Sequence, residues 1–175
     1  MLNLRLTAAA LLCAASLTAH AGNVFDEVRV GLMDHDSGLV DSHVENGVDL
    51  NMEVLLQSPD WMKWAYSPKP SIGTTTSLRD QTSLLHFGFS WELPISGPIF
   101  ANANLGLGFN NGVTRNQVGR RNMGCNGDFY ESLSVGGQFL EKHRLMATVE
   151  HASNAYICNS NAGLTNLGIR YGYKL

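Results

Sequence analysis

The stretch Val48-Asp49-Leu50-Asn51-Met52-Glu53-Val54 decides the fold. Its even positions are apolar and its odd ones polar, the period of a β-strand whose two faces meet different surroundings. The same alternation runs through Leu85-His86-Phe87-Gly88-Phe89-Ser90-Trp91-Glu92-Leu93 and through Ala101-Asn102-Ala103-Asn104-Leu105-Gly106-Leu107-Gly108-Phe109. It returns in Leu167-Gly168-Ile169-Arg170-Tyr171-Gly172-Tyr173-Lys174 at the end of the chain. Working outward from these segments predicts eight strands, near 26–35, 46–57, 68–78, 82–94, 98–110, 128–140, 143–154 and 163–175. The third, with Pro68, Pro70 and a run of Thr, carries the weakest pattern. Ile95-Ser96-Gly97 and Glu141-Lys142-His143 read as tight turns, whereas the connections near 36–45 and 111–127 are long.

Alternation alone does not say which face is inside. A lipocalin-like soluble barrel buries the apolar face, and an outer-membrane barrel turns it to lipid. Here the polar face mixes Arg29, Asp49, Glu53, Glu92, Glu150 and Arg170 with Gly, Asn and Ser. Opposite charges among small residues suit a narrow lumen in which they pair. Phe109, Phe129, Tyr171 and Tyr173 fall at strand ends, where interfacial girdles sit, and Trp61-Met62-Lys63-Trp64-Ala65-Tyr66 suits a membrane border. The fold expected is therefore an all-β, eight-stranded antiparallel transmembrane up-and-down β-barrel. Eight strands leave no aqueous channel, which excludes a general porin.

The first residues read as a processing signal. Arg5 is a short basic region, Leu6 to Leu17 an apolar core too short to span a bilayer, and Ala19-His20-Ala21 a small-x-small cleavage site. The expected division is a signal peptide over 1–21 and an outer-membrane barrel over 22–175. The chain holds 12 Lys+Arg against 15 Asp+Glu, and cleavage removes only Arg5 from this balance. A mildly acidic chain offers no footprint for nucleic acid. Export also bears on the cysteines. Once Cys13 is removed, Cys125 and Cys158 remain as a pair in an oxidising compartment. A disulfide stapling two loops is favoured over a zinc site, since no His or carboxylate partners stand at suitable spacing.

The chemistry concentrates in His151-Ala152-Ser153-Asn154. An imidazole and a hydroxyl at i and i+2 of a strand share a face, close enough for a base to activate a nucleophile, and an amide follows where it could hold an oxyanion. With both termini periplasmic, the seventh strand climbs to the outer rim. Parity continues its apolar face, Leu145, Ala147 and Val149, into His151 and Ser153, while Glu150 points into the lumen toward Arg170. A polar pair on a lipid-facing wall is costly unless it works. If residue numbers across the sixth and seventh strands sum to about 284, Glu131 faces Ser153 and becomes the acid that orients the histidine. Thr165 faces outward at similar height but is no anion. A bare His-x-Ser at a strand end is more often a rim polar group. Asp34-His35-Asp36 reads as a solvated loop edge in preference to a metal site, so no metal is expected. Arg115, Arg120 and Arg121 in the long third outer loop are weak candidates for substrate phosphates.

These residues resemble a known family. His151-Ala152-Ser153-Asn154, Asn161-Ala162-Gly163-Leu164 and Arg170-Tyr171-Gly172-Tyr173 are similar to the outer-membrane lipid A 3-O-deacylases (PagL-type acyloxyacyl hydrolases). Gly31-Leu32-Met33-Asp34-His35-Asp36, Gly47-Val48-Asp49-Leu50-Asn51 and Phe129-Tyr130-Glu131-Ser132 look like that family too. The resemblance implies an eight-stranded outer-membrane barrel with its active site on the outer wall, hydrolysing the ester of the 3-position acyl chain of lipid A. It implies Ser153 as nucleophile, His151 as general base and Asn154 as oxyanion contributor, with no cofactor. Two departures stand out. The family's acid lies fourteen residues beyond the histidine, where this chain has Thr165, and the chain ends in Leu175 where such barrels typically end in Phe.

Two expectations follow. One is an esterase acting on lipopolysaccharide in the bacterial outer membrane; the other is a weak or inactive barrel that binds lipopolysaccharide or serves a structural role. Acyl-chain preference and the choice between monomer and homodimer are left open by the sequence.

Overall fold

The structure, a computed structural model, describes residues 24–40 and 42–175. The expected signal peptide over 1–21, with Cys13, lies outside the described residues. The eight expected strands form: β1 Phe25–Asp34, β2 Val48–Leu56, β3 Lys69–Ser77, β4 Leu84–Ser96, β5 Ile99–Asn110, β6 Gly127–Phe139, β7 His143–Ser153 and β8 Leu164–Lys174. Each pairs antiparallel with its neighbours in sequence, and β8 returns to β1, closing the barrel and leaving no free sheet edge. The Pro- and Thr-bearing segment joins as β3, since Pro70 sits at its beginning.

Parity holds around the wall. Asp49, Asn51 and Glu53 of β2 are buried, while Val48 and Met52 are exposed. Leu85, Phe87 and Leu93 of β4, Leu105 and Leu107 of β5, and Leu133 and Val135 of β6 likewise face out. Among the described residues the buried polar side chains outnumber the buried apolar ones. A barrel with a wet exterior would reverse that arrangement, so the apolar outer wall faces hydrocarbon.

The lumen is filled by paired charge. Arg29 bonds Glu27 at 2.9 Å and Glu53 at 3.0 Å. Arg144 reaches Glu27 and Glu92, both at 2.6 Å, and lies 3.6 Å above the Phe100 ring. Arg170 meets Glu150 at 3.0 Å, the pairing read from the sequence, and the Tyr130 hydroxyl donates to the same carboxylate. The His86 ring stacks on Tyr130 with centroids 3.9 Å apart. Gly73 makes room for it, because a Cβ there would come within 2.6 Å of the imidazole. Each ion is costly to bury alone, and these pairings offset that cost.

The long connections gather at one rim: 35–47, 78–83, 111–126 and 154–163. At the other rim, Asp60–Ala65 forms a short 3-10 helix carrying Trp61 and Trp64, which are 69% and 80% exposed. The indole N–H of Trp91, on the outer face of β4, donates to the Ala65 carbonyl at 2.9 Å and holds this helix against the wall. Its aromatics lie where interfacial anchors would.

Candidate active site

His151 and Ser153 close β7 at the rim bearing the long loops, both half-buried and both on the outward face. They stand roughly 7 Å apart along the strand, at about 3.3 Å per residue. Glu150 and Ala152, between and before them, are buried in the lumen.

The strands on either side supply the surroundings. Across β7 and β8 the direct partner of His151 is Thr165, and the imidazole Nδ1 lies 2.8 Å from the Thr165 hydroxyl. Across β6 and β7 its partner is Glu131, while Ser153 faces Phe129. This corrects the register expected from the sequence, in which Glu131 faced Ser153. The hairpin closes with Phe139 opposite His143 across residues 140–142, so paired numbers sum to 282 rather than 284. A shift of two keeps every side chain on its expected face. Glu131 therefore still points outward, now beside the imidazole itself.

Thr165 faces outward by parity yet is only 2% exposed. Loop 35–47 folds over it: the Ser37 amide and hydroxyl both donate to the Thr165 carbonyl, at 2.7 and 3.2 Å. The Asp36 amide donates to the Asn166 side chain at 2.9 Å. The same loop carries Val40 into a groove of about 500 Å³ whose apolar walls include Leu105, Leu133 and Val149 and whose polar members include Glu131, His151 and Thr165. A smaller hollow of about 170 Å³ lies nearer the rim, between Leu107, Phe109, Phe129, Ile157 and the Cys125–Cys158 disulfide. An apolar channel that leads from the hydrocarbon belt to an imidazole suits an acyl chain with a polar bond at its end.

Asn154, expected to hold the oxyanion, is hydrogen-bonded within the outer loops. Its side-chain amide donates to the carbonyls of Met123 at 2.6 Å and Ser160 at 2.7 Å, and its backbone N–H donates to Asn161 at 2.8 Å. Both side-chain protons are thereby occupied in tying outer loops together, and the residue is buried. It also opens a tight turn in which the Ile157 N–H bonds the Asn154 carbonyl at 3.0 Å. Ala155 and Tyr156, at the centre of that turn, have φ of 51° and 61°, a left-handed pair unusual for residues with side chains.

The arginines proposed for phosphates are also engaged. Arg121 is buried against Asp36 at 2.7 Å and donates to the carbonyls of Ala162 and Ser42. Arg120 bonds Glu45 at 2.7 Å and keeps some exposure; Arg115 is exposed. Of Asp34-His35-Asp36, only Asp34 is the solvated edge expected. His35 is fully buried, with Nδ1 2.8 Å from Asp49 and Nε2 2.9 Å from Glu45. Burial disfavours the imidazolium, but the hydrogen bonds to Asp49 and Glu45 outweigh it and raise His35 to about 9. Burial would raise Glu45, yet hydrogen bonds from His35, Arg120, Thr82 and Arg121 hold it at about 2. Together with Asp36–Arg121, these groups lock the outer loops behind the groove.

Cys125 and Cys158 form the expected disulfide, with Cα atoms 6.0 Å apart and 33 residues of separation. Closing a loop of that length restricts the unfolded chain by on the order of 4 kcal/mol. Sequence reasoning missed Thr165 as the histidine's partner, although the β7–β8 hairpin register would have found it. It had no signal for Ser37 or Val40, whose contacts span most of the chain.

The comparisons with known proteins agree with this fold. A family model described as lipid A 3-O-deacylase (PagL) matches residues 46–174. No curated protein sequence matches the chain. A solved structure titled "Crystal structure of the outer membrane enzyme PagL" has a similar fold, with a TM-score of 0.64 at 18% identity, covering 85% of this chain and 99% of that one. The closed barrel with its apolar exterior and the match over most of the sequence lead to one assignment: this chain is an outer-membrane β-barrel that belongs to the lipid A 3-O-deacylase (PagL) family.

Proposed function

We propose that the protein is an esterase that removes the 3-O-linked acyl chain of lipid A, with Ser153 as nucleophile and His151 as general base. The observation that carries this reading is the half-buried His–Ser pair on a lipid-facing wall, with His151 lining an apolar groove of acyl-chain character. His151 has Nδ1 engaged by Thr165, which leaves Nε2 to take the Ser153 proton. The serine oxygen attacks the ester carbonyl, and the resulting oxyanion needs N–H donors. Since the Asn154 side chain, the Asn154 N–H and the Ile157 N–H are all engaged, the backbone N–H groups of Ala155 and Tyr156 are the donors in this scheme. Collapse of the tetrahedral intermediate expels the sugar 3-oxygen, which takes its proton from His151. Water, activated by the same imidazole, then releases the fatty acid and restores the serine. Glu131, facing His151 from β6, is the nearby carboxylate that favours the imidazolium formed in each half-reaction. Of the proposed phosphate contacts, Arg120 keeps only partial access and Arg121 acts in the loop lock instead.

A lipopolysaccharide-binding barrel without turnover has one observation in its favour, the hydroxyl of Thr165 where a carboxylate would complete a triad. Purified protein in detergent, incubated with lipid A, separates the two readings. Release of a free 3-hydroxy fatty acid, together with fluorophosphonate labelling mapped to Ser153, supports the esterase. Binding of lipid A with neither release nor labelling supports the barrel that only binds.

A further inference from the structure

We infer that Thr165 is a positioning residue for His151: a neutral hydroxyl that fixes the working tautomer of the imidazole, clamped in place by loop 35–47. This inference rests on the reading of His151 as general base to Ser153.

Three observations carry it. The hydroxyl is 2.8 Å from His151 Nδ1, across a direct cross-strand pair that fixes both backbones. Thr165 is buried although its face of the barrel is the outward one, so water does not compete for the bond. Loop 35–47 holds the same residue, since the Ser37 amide and hydroxyl both donate to the Thr165 carbonyl.

The chemistry selects the direction of the bond. A hydroxyl donates or accepts, and donation to Nδ1 would place the imidazole proton on Nε2, where the nucleophile needs a lone pair. After His151 takes the serine proton, both ring nitrogens carry hydrogen, and Thr165 can then only accept. Acceptance from Nδ1–H is thus the one arrangement that persists through the whole cycle. A hydroxyl orients without contributing a full charge. The charge faces His151 from the opposite strand as Glu131, while Glu150 and Asn166 are turned into the lumen. Orientation and electrostatics, joined in one carboxylate in a Ser-His-Asp triad, are divided here between two strands.

Thr165→Val, Thr165→Ser and Thr165→Glu test this, each assayed on lipid A with folding checked by heat-modifiable electrophoretic mobility. Thr165→Val is expected to lower kcat about 10- to 100-fold with KM little changed, and Thr165→Ser to restore most of it. Thr165→Glu places a carboxylate beside the imidazole and should move the ascending limb of the pH–rate profile upward by about a unit or more. That movement follows from the added charge alone, so the tautomer of His151 is the readout that a merely structural threonine would not move. Nitrogen NMR of histidine-labelled protein reads the tautomer without turnover: neutral His151 should be protonated at Nδ1 in the wild type and mixed in Thr165→Val. Wild-type kcat in Thr165→Val, or a wild-type His151 protonated at Nε2, overturns the inference. If folded wild type leaves lipid A intact, the esterase reading fails, and the tautomer measurement still decides the role of Thr165.

Discussion

Glu150 and His151 are neighbours on one strand, and their surroundings differ as sharply as any two in the molecule. Glu150 points into the lumen, where Arg170, Tyr130 and Asn166 all bond its carboxylate. His151 points to the lipid side, where it has one hydroxyl, and the Glu131 beside it forms no ion pair among the described residues. Inside, the arginines and glutamates are paired with one another, as buried charges must be if the fold is to tolerate them, although neither ring nitrogen of His86 is bonded. Outside, polar groups are left with unspent capacity on a surface where each is costly. Paired charge marks the groups that hold the barrel, and unpaired polar groups on the lipid side mark those available to a substrate.

The sharpest way to break this contrast is to exchange the effects of the two sets. Ser153→Ala is expected to lower turnover by on the order of 10⁴-fold or more while the barrel folds as before, measured as fatty acid release at matched folded protein. Arg170→Met should do the reverse. Leaving Glu150 in the lumen without its cation, while Glu53 keeps Arg29, should cost about 3–5 kcal/mol in urea unfolding from lipid vesicles, with activity per folded molecule preserved. A catalytic loss in Arg170→Met without loss of stability would dissolve the distinction between the two regions.

Smaller effects sharpen it. Removing the staple with Cys125→Ser and Cys158→Ser together should lower the temperature of the heat-modifiable shift, within the loop-closure limit of about 4 kcal/mol. Glu131→Gln should reduce kcat about tenfold and leave that temperature unchanged, because the carboxylate is exposed and supports charge only in the reaction. The least effect is expected from pH on the loop lock. His35 is raised to about 9 from an ordinary 6.5, so its contribution is full below 6.5 and fades as pH rises through 9. Glu45 is lowered to about 2 from 4.5, so its contribution is full above 4.5 and fades as pH falls through 2. Protease resistance of the outer loops should accordingly be greatest between about 4.5 and 6.5 and decline slowly into the alkaline range.

Much of this was legible in the sequence because the barrel obeys period two almost without interruption. Parity alone placed Glu53, Glu150 and Arg170 inside and Glu131, His151 and Ser153 outside, and the structure agrees for each. The register of β6 against β7 was misread because the turn centres on Glu141 rather than Lys142, with Leu140 and Glu141 in left-handed conformation. That geometry is local and subtle, and its error cancelled only because it was even. The outer loops were not legible at all. Asp36 with Arg121, His35 with Glu45, and Asn154 with Met123 pair groups whose meeting depends on how separate loops fill one rim. Periodicity carries no information on such contacts, and charged or amide residues there were read as solvated or catalytic when they are structural.

Mass spectrometry of lipid A tests the central claim most directly, comparing cells that produce the wild type with cells that produce Ser153→Ala at equal levels of folded barrel. Loss of one 3-hydroxyacyl chain with the wild type and an intact lipid A with Ser153→Ala is the expected result. An intact lipid A with folded wild type, or continued loss of the chain with Ser153→Ala, would contradict it.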